Sequence, residues 1–275
     1  MTLGVDIGGT NLSLGLVHEG KLVRTVSAPS FHPEATMEQT LDYLADQIRR
    51  IITPETTQIG VGVPSIVDLH KGIVYEAVNI PSWKEVPMKE YLENQFHIPV
   101  AVNNDANCYA MGVYGSYPAD QKPELLVTVT LGTGVGIGIV ADGRLFCGTN
   151  CGAGELGSLP FKDSIIEDYC AKKYFIAKGW DGKKAYEAAA AGDSAALALF
   201  NEMGENLGEL LCAVMLAYDP SHIAFGGGIA NGHTFFHETM MNHLRTYFPY
   251  KTAVERLQVD YFTENHIPVI GAALL

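Results

Sequence analysis

The chain has 275 residues, with 18 Lys and Arg against 31 Asp and Glu, a formal net charge of −13. Hydrophobic residues make up 47% and charged residues only 18%, which supplies a core and excludes global disorder. The acidity argues against nucleic acid as the main partner, because phosphate backbones call for positive faces. The N-terminus, Met1-Thr2-Leu3-Gly4-Val5-Asp6, has neither a basic n-region nor a long apolar h-region, so no signal peptide is expected. The longest uncharged apolar stretch, 125–141, falls short of a bilayer span and contains three Thr and four Gly, so it reads as buried sheet and a cytoplasmic chain without membrane contact is expected.

In chain order, Leu3 and Val5 alternate, residues 6–11 interrupt, and Leu12, Leu14 and Leu16 alternate again, which predicts two strands. Glu19-Gly20 turns the chain and Lys21 begins a third strand, giving an antiparallel meander. Thr36 with Gln39 three residues on predicts a capped helix, and Met37, Leu41, Leu44, Ile48 and Ile51 form its apolar stripe. A buried strand, 59–63, stops at Pro64. Pro87 opens a short helix through Phe96, 99–102 is a strand, and a helix follows Asn103-Asn104-Asp105 to about Gly115. The second half begins alike: a strand over 125–130, the interruption Leu131-Gly132-Thr133-Gly134, a strand over 135–140, the turn Asp142-Gly143, and a third strand from Arg144. A Gly-rich loop over 148–157 and a helix near 165–178 come next, then a long helix from an Asp193 cap to Tyr218. A short strand over 223–225, Gly226-Gly227-Gly228, and a helix to about Phe248 follow, with a strand and a helical stub in 259–275. The repeated pattern predicts two α/β domains facing a cleft, 1–115 and 116–258, with 259–275 a candidate to complete the first.

No G-x-x-x-x-G-K-[ST] occurs, which excludes a P-loop. The run Gly132-x-Gly134-x-Gly136-x-Gly138 is not a dinucleotide fingerprint, because that pattern opens a helix, whereas glycines at period two inside a strand share one face. Tight sheet packing or close approach of a ligand would each explain them. At Gly8-Gly9-Thr10, successive N–H groups can point into one concavity that suits phosphate, and Asp6 can hold Mg²⁺ through water. A type I′ hairpin turn is the structural alternative. Asp105 either caps a helix or acts as a general base beside an amide, Asn104, that binds a hydroxyl. Asn79, Glu155 and Glu167 are polar residues in apolar or Gly-rich settings, suited together to a polyol and singly to a cap or a surface. Gly226-Gly227-Gly228 either admits a base or phosphate or makes a turn that needs positive φ. Five cysteines, Cys108, Cys147, Cys151, Cys170 and Cys212, are odd in number and irregularly spaced, so reduced thiols are expected. Cys147-x-x-x-Cys151 reads as small residues in a Gly-rich loop in preference to half a metal site. His233 and His237 lack a third ligand nearby in sequence and read as surface helix residues.

Four segments in register, VDIGGTNLSLG, NNDANCYAMG, LGTGVGIGIVADGRLFCGTNCGAGELG and IAFGGGI, closely resemble the ROK family (repressor, open reading frame, kinase) of bacterial sugar kinases, over nearly the whole chain. The resemblance implies an α/β, actin-like ATPase (ribonuclease H-like) fold whose two domains close on ATP and a hexose. It implies that Asp6, Gly8, Gly9, Thr10 and Asn11 match the first phosphate motif, that Gly132, Thr133 and Gly134 match the second, and that Gly227 and Gly228 match the adenosine motif. Asp105 matches the catalytic base, and Asn79, Asn104, Glu155 and Glu167 match sugar-binding positions, with Ser65 a weaker candidate. The expected activity is ATP- and Mg²⁺-dependent phosphorylation of a hexose, glucose first, by a chain that is often dimeric in the family. Two departures stand out. Ser158 occupies the position of a histidine that binds zinc and sugar, and Ser158–Glu167 replaces the Cys-rich loop, keeping only its Glu, so no structural zinc is expected. Phe161, Ile165 and Ile166 are the expected anchors of that segment. The rival readings are a kinase for allose, fructose, mannose or an N-acylated hexosamine, a non-enzymatic sugar sensor, which would not need Asp105 and two phosphate loops, and an acyl-phosphate kinase, disfavoured by the polar sugar set.

Overall fold

The computed structural model describes residues 1–77 and 79–275. Contacts divide the chain into two units. The first comprises Met1–Lys122, Gly138–Ala153 and Asn265–Leu275; the second comprises Pro123–Ile137 and Gly154–Glu264.

In the first unit β1 (Thr2–Ile7), β2 (Asn11–His18) and β3 (Lys21–Pro29) form the expected meander. Leu3, Val5, Leu12, Leu14 and Leu16 are all buried. Helix α1 (Met37–Arg49) starts at a complete capping box, in which Thr36 Oγ1 accepts the Gln39 N–H and Gln39 Oε1 accepts the Thr36 N–H. It buries Leu41, Leu44 and Ile48. Strand β4 (Gln58–Val63) is followed by a small antiparallel sheet absent from the sequence reading, made of β5 (Ile66–Asp68), β6 (Ile73–Tyr75) and β7 (Glu85–Val86). Helix α2 (Met88–Phe96), strand β8 (Val100–Asn104) and helix α3 (Asp105–Ser116) follow. The main sheet orders β3-β2-β1-β4-β8, with β4 and β8 parallel to β1.

Strand β9 (Leu125–Leu131), β10 (Val135–Ala141) and β11 (Arg144–Leu145) repeat the meander. A hairpin, β12 (Pro160–Phe161) and β13 (Ser164–Ile165), precedes the helix expected near 165–178, which is split into two short helices, α4 (Glu167–Cys170) and α5 (Lys172–Ala177). Ala171 between the helices is extended, which breaks the run. Among the expected anchors Ile166 is buried, and a cation adds to it: Lys162 Nζ lies 4.9 Å from the Phe161 ring and 4.7 Å from the Tyr169 ring, and donates to Asn206 Oδ1 at 2.7 Å. Helix α6 (Gly182–Ala190), capped by Asp181, was not apparent in the sequence, whereas α7 (Ser194–Tyr218) begins at the expected Asp193 cap. The chain continues through β14 (His222–Gly226), α8 (His233–Tyr247), α9 (Lys251–Arg256), β15 (Gln258–Tyr261) and α10 (Ile267–Ala273). The second large sheet orders β11-β10-β9-β14-β15. Among the described residues no helix is long and apolar enough to cross a membrane.

Helix α10 belongs to the first unit and lies in a lane cleared of side chains. Gly15, Gly4, Gly60 and Ala101 are register partners across β2, β1, β4 and β8. A Cβ on Gly4 would stand 1.9 Å from the Val269 carbonyl oxygen, and one on Gly60 would stand 1.7 Å from that of Ala272. On the other side, a Cβ on Gly112 of α3 would meet the Ile267 oxygen at 2.1 Å. The helix has no room to yield, so Gly60→Ala should cost about 3 kcal/mol by overpacking, read as a lowered denaturant midpoint. A loss below about 1 kcal/mol would mean that α10 can move aside.

Candidate functional site

In the first unit, residues 8–10 connect β1 to β2. The Gly8 N–H donates to the Asn11 carbonyl at 3.0 Å. Ser30 latches the loop from the end of β3: its hydroxyl donates to the Gly8 carbonyl at 2.8 Å and its N–H to the Thr10 carbonyl at 2.9 Å. Ser30 escaped the sequence reading; its only signal was a hydroxyl placed where β3 ends opposite Asn11. Neither Gly8 nor Gly9 has a left-handed φ, which removes the type I′ turn as an explanation. A Cβ on Gly9 would meet nothing within 4 Å. The fold itself therefore does not demand glycine there, and the open space above the loop suits an anion approaching main-chain N–H groups. Thr10 and Asn11 are exposed beside it.

Asp6 lies on the same row of the sheet as Ser13, Gly62 and Asn103. Desolvation, and then the charge of Asp105, push its carboxyl from 3.8 to about 7. Cys108, buried beside them, is pushed up by burial and by both carboxylates. A crowded carboxylate pair of this kind fits a divalent cation held through water.

Asp105 is the first residue of α3, and the cap is Asn104, not Asp105. The Asn104 side-chain oxygen accepts the N–H of Ala106 at 2.8 Å and of Asn107 at 3.4 Å. Its amide nitrogen donates to the Ser65 carbonyl at 3.3 Å. The Ser65 hydroxyl donates to the Tyr75 carbonyl. Asp105 Oδ1 accepts the Ala106 N–H at 2.8 Å. Asn104, Asp105, Asp6 and Ser65 are thus brought together. Asn79 is exposed in a turn closed by the Ile80 N–H donating to the Ala77 carbonyl and the Trp83 N–H to the Ile80 carbonyl. Trp83 is itself buried, its Nε1–H donating to Thr40 Oγ1 at 2.7 Å.

In the second unit, Gly132, Thr133 and Gly134 form a bend between β9 and β10, and the strand starts only at Val135. The four glycines therefore do not share one face of one strand, as their spacing suggests, and Gly132, Gly134 and Gly138 have different surroundings. A Cβ on Gly132 would meet nothing within 4 Å, one on Gly134 would meet Glu167 Oε2 at 2.4 Å, and one on Gly138 would strike the Ala106 carbonyl oxygen at 2.4 Å. Gly138 is packing; Gly132 is open. Glu167 Oε2 accepts the Val135 N–H at 2.8 Å, so this carboxylate is seated on the glycine bend. Glu155 follows Gly154 (φ +97°) at the start of a short 3₁₀ turn. Its carboxyl is held above the usual range by desolvation and then by Glu167. Gly227 has φ +82° and a Leu131 carbonyl 2.4 Å from its Cβ position, which accounts for it structurally, whereas Gly228 is open. The triglycine leads into a 3₁₀ turn, residues 228–232, and only then into α8. His233 and His237 are half-buried and share Tyr261 instead of facing solvent: His233 stacks on its ring at 4.1 Å and His237 Nδ1 lies 2.7 Å from its hydroxyl.

A family model described as the ROK family matches residues 2–275. A glucokinase of Halalkalibacterium halodurans is 28% identical over 89% of this chain and 85% of its own length. An N-acetyl-D-glucosamine kinase of Aliivibrio salmonicida is 30% identical over 84% of this chain and 85% of its own. Among solved structures, a ROK family glucokinase from Streptomyces griseus in complex with glucose and AMPPNP aligns with a TM-score of 0.81 at 25% identity, covering 99% of this chain and 97% of that one.

The raised Asp6 carboxyl holds its proton more tightly in the folded chain than in the unfolded one. Its contribution to stability is therefore largest below 3.8 and declines as pH rises to about 7. Without Mg²⁺, Asp6→Asn should gain thermal stability relative to the parent as pH climbs through that window; a pH-independent difference would contradict the raised carboxyl. At the second bend, Gly132→Ala fits the empty space and should leave folding intact while weakening nucleotide binding. Gly134→Ala should displace Glu167 and lower thermal stability as well. Unchanged nucleotide affinity in a folded Gly132→Ala variant would remove the phosphate role.

Proposed function

This chain belongs to the ROK family, and we propose that it is an ATP-dependent kinase that transfers a phosphoryl group to the 6-hydroxyl of a hexose, with glucose the favoured acceptor. The observation that carries this reading is the placement of Asp105, at the head of α3, against the raised carboxyl of Asp6 and beside the capping amide of Asn104. Asp105 accepts the proton of the sugar hydroxyl as its oxygen attacks the γ-phosphorus. Asn104, Asn79, Ser65, Glu155 and Glu167 hold the remaining hydroxyls. The first loop, Gly8 to Asn11, presents the main-chain N–H groups of Gly9 and Thr10 to the phosphates, the second, Gly132 to Gly134, presents those of Thr133 and Gly134, and the open position at Gly228, after Gly227, leaves room for adenosine. Positioning and charge stabilisation carry most of the rate in phosphoryl transfer, which suits two fixed loops and a single base. Mg²⁺, held by Asp6 through water, supplies charge neutralisation on the phosphates when bound.

The N-acylated hexosamine reading stays beside glucose for a specific reason: the relative at 30% identity is named for that substrate. Ser158, exposed where the family pattern has histidine, offers a shorter contact and more space at the sugar's C1–C2 side.

A coupled ADP-release screen over glucose, mannose, fructose, allose and N-acetylated hexosamines should give glucose the highest kcat/KM. Turnover highest on an N-acetylated hexosamine would transfer the assignment to that class, and no turnover on any sugar would sink the kinase reading. Asp105→Asn should keep sugar binding and lose on the order of 10²-fold or more in kcat. Near-parental turnover would reduce Asp105 to a helix-start residue.

A further inference from the structure

Two buried cysteines and two buried asparagines in the first unit form a cluster that phosphoryl transfer leaves without a role. Cys147 follows β11, and the Ala153 N–H donates to its carbonyl at 3.1 Å, closing a loop over residues 147–153. Gly148 (φ +72°) and Cys151 (φ +58°) are both left-handed. A residue with a Cβ adopts that conformation at a cost, so the surroundings hold Cys151 in place. The loop doubles back and buries both side chains, Cys147 at 9% and Cys151 at 4% exposure.

The sulfurs meet two amides. Asn107 Nδ2 lies 3.5 Å from Cys147 Sγ and 3.7 Å from Cys151 Sγ. Asn103 Oδ1 lies 3.4 Å from Cys151 Sγ and 4.0 Å from Cys147 Sγ. Asn103 Nδ2 donates to Cys147 Sγ at 3.7 Å. Sulfur is a weak partner, yet amides that are 7% and 2% exposed direct their donors to it. Both sulfurs therefore flank the same nitrogen and the same oxygen. The neighbouring Cys147 thiol, helped by the N–H groups of Asn104 and Val67 and the Asn107 amide, draws the Cys151 thiol below its ordinary value. Thiolate character and a neighbouring resolving thiol favour oxidation, while burial slows the entry of the oxidant.

We propose that Cys147 and Cys151 are a reversible dithiol–disulfide modification site, oxidised by hydrogen peroxide and reopened by a small dithiol. The Cys151 thiolate attacks one peroxide oxygen and the O–O bond breaks. Cys151 becomes a sulfenic acid, and the departing hydroxide takes up the proton that the thiol had released, giving water. Cys147 then attacks the Cys151 sulfur, the S–S bond forms, and the sulfenic oxygen leaves with the Cys147 hydrogen as a second water. Two thiols and one hydrogen peroxide give one disulfide and two waters, with two electrons passing to the peroxide.

The consequence for activity rests on the kinase reading. The Asn103 carboxamide oxygen also accepts the Asn104 N–H at 2.8 Å and Asn107 Nδ2 at 2.9 Å. Asn103 and Asn107 thus bracket Asn104 and Asp105. Drawing the sulfurs to about 2 Å from one another pulls them from their contacts with Asn103 and Asn107 and shifts the amides that flank Asn104 and Asp105.

The full chain is titrated with hydrogen peroxide, alkylated and digested with trypsin; residues 145–162 then form one fragment that carries both cysteines and no other. That fragment should lose two hydrogens before Cys108, Cys170 or Cys212 reacts, and dithiothreitol should restore it. In Cys147→Ser, dimedone should label Cys151. Two free thiols in that fragment at peroxide levels that oxidise the other cysteines, or direct passage to sulfinic acid, would overturn the site. Hexose phosphorylation by the oxidised chain should fall roughly tenfold or more and recover with dithiothreitol, and a Cys147→Ala/Cys151→Ala variant should show no such response. A disulfide that leaves the rate unchanged would overturn the link to Asp105. Failure of the reduced chain to phosphorylate any sugar would count against the kinase reading alone, since the mass measurement does not depend on it.

Discussion

The first unit is organised by main chain meeting main chain. The carbonyls of Ile267, Val269 and Ala272 in α10 approach the α-carbons of Gly112, Gly4 and Gly60 so closely that no side chain could stand between them. In return, a Cβ on Gly271 would stand 1.6 Å from the Cys108 carbonyl oxygen in α3. One helix of seven residues is thereby wedged between the sheet and α3. Contacts this close leave little slack, because a packed interior does not deform continuously. The relative height of β1, β4 and α3 is set there, and each of those elements carries part of the candidate site.

The lane and the site are neighbouring rows of one sheet. Gly15, Gly4, Gly60 and Ala101 make the lane. Two residues away along each strand, on the same face and nearer the first glycine loop, lie Ser13, Asp6, Gly62 and Asn103. Asp6 comes from a strand pinned by α10, and Asp105 from a helix pinned by α10. Their mutual charge effect is the electrostatic sign of that shared anchor. Gly62 makes the same point at smaller scale, since a Cβ there would press on Cys108 Sγ at 3.0 Å.

Local signals were legible where they were self-contained. The Thr36–Gln39 box and the apolar stripe after it specify α1 from within a single segment. The long helix after Asp193 and the two meanders were equally readable. The run 165–178 was not, because its apolar residues fit a helix while Ala171 adopts an extended conformation and a hairpin precedes it. Helix α6 was missed because its buried face is made only of small residues, Ala185 and Ala189. In the site, residue types were legible but not their partners. Asn104 and Asp105 are equally good caps on paper, and only the hydrogen bonds assign the role to Asn104. The seat of Glu167 on the Val135 N–H joins segments 32 residues apart, and nothing in either segment announces the other. Glycines were the least decipherable: Gly138 and Gly227 answer to nearby carbonyls, while Gly9, Gly132 and Gly228 answer to nothing in the chain itself.

The glycine lane also sets an order of assembly. β1 and β4 leave the ribosome well before the helix that fills their lane, which lies more than two hundred residues later, from Ile267 onward. Until that stretch emerges, the growing polypeptide presents a sheet face with a bare trough where its filling should be. Closing so long a loop carries an entropic cost that local pairing does not. The second unit draws on Pro123–Ile137 and Gly154–Glu264, all of them synthesised before the wedge. Translation therefore makes the second unit available first, and the unit that holds Asp6 and Asp105 is completed by the last segment to join it.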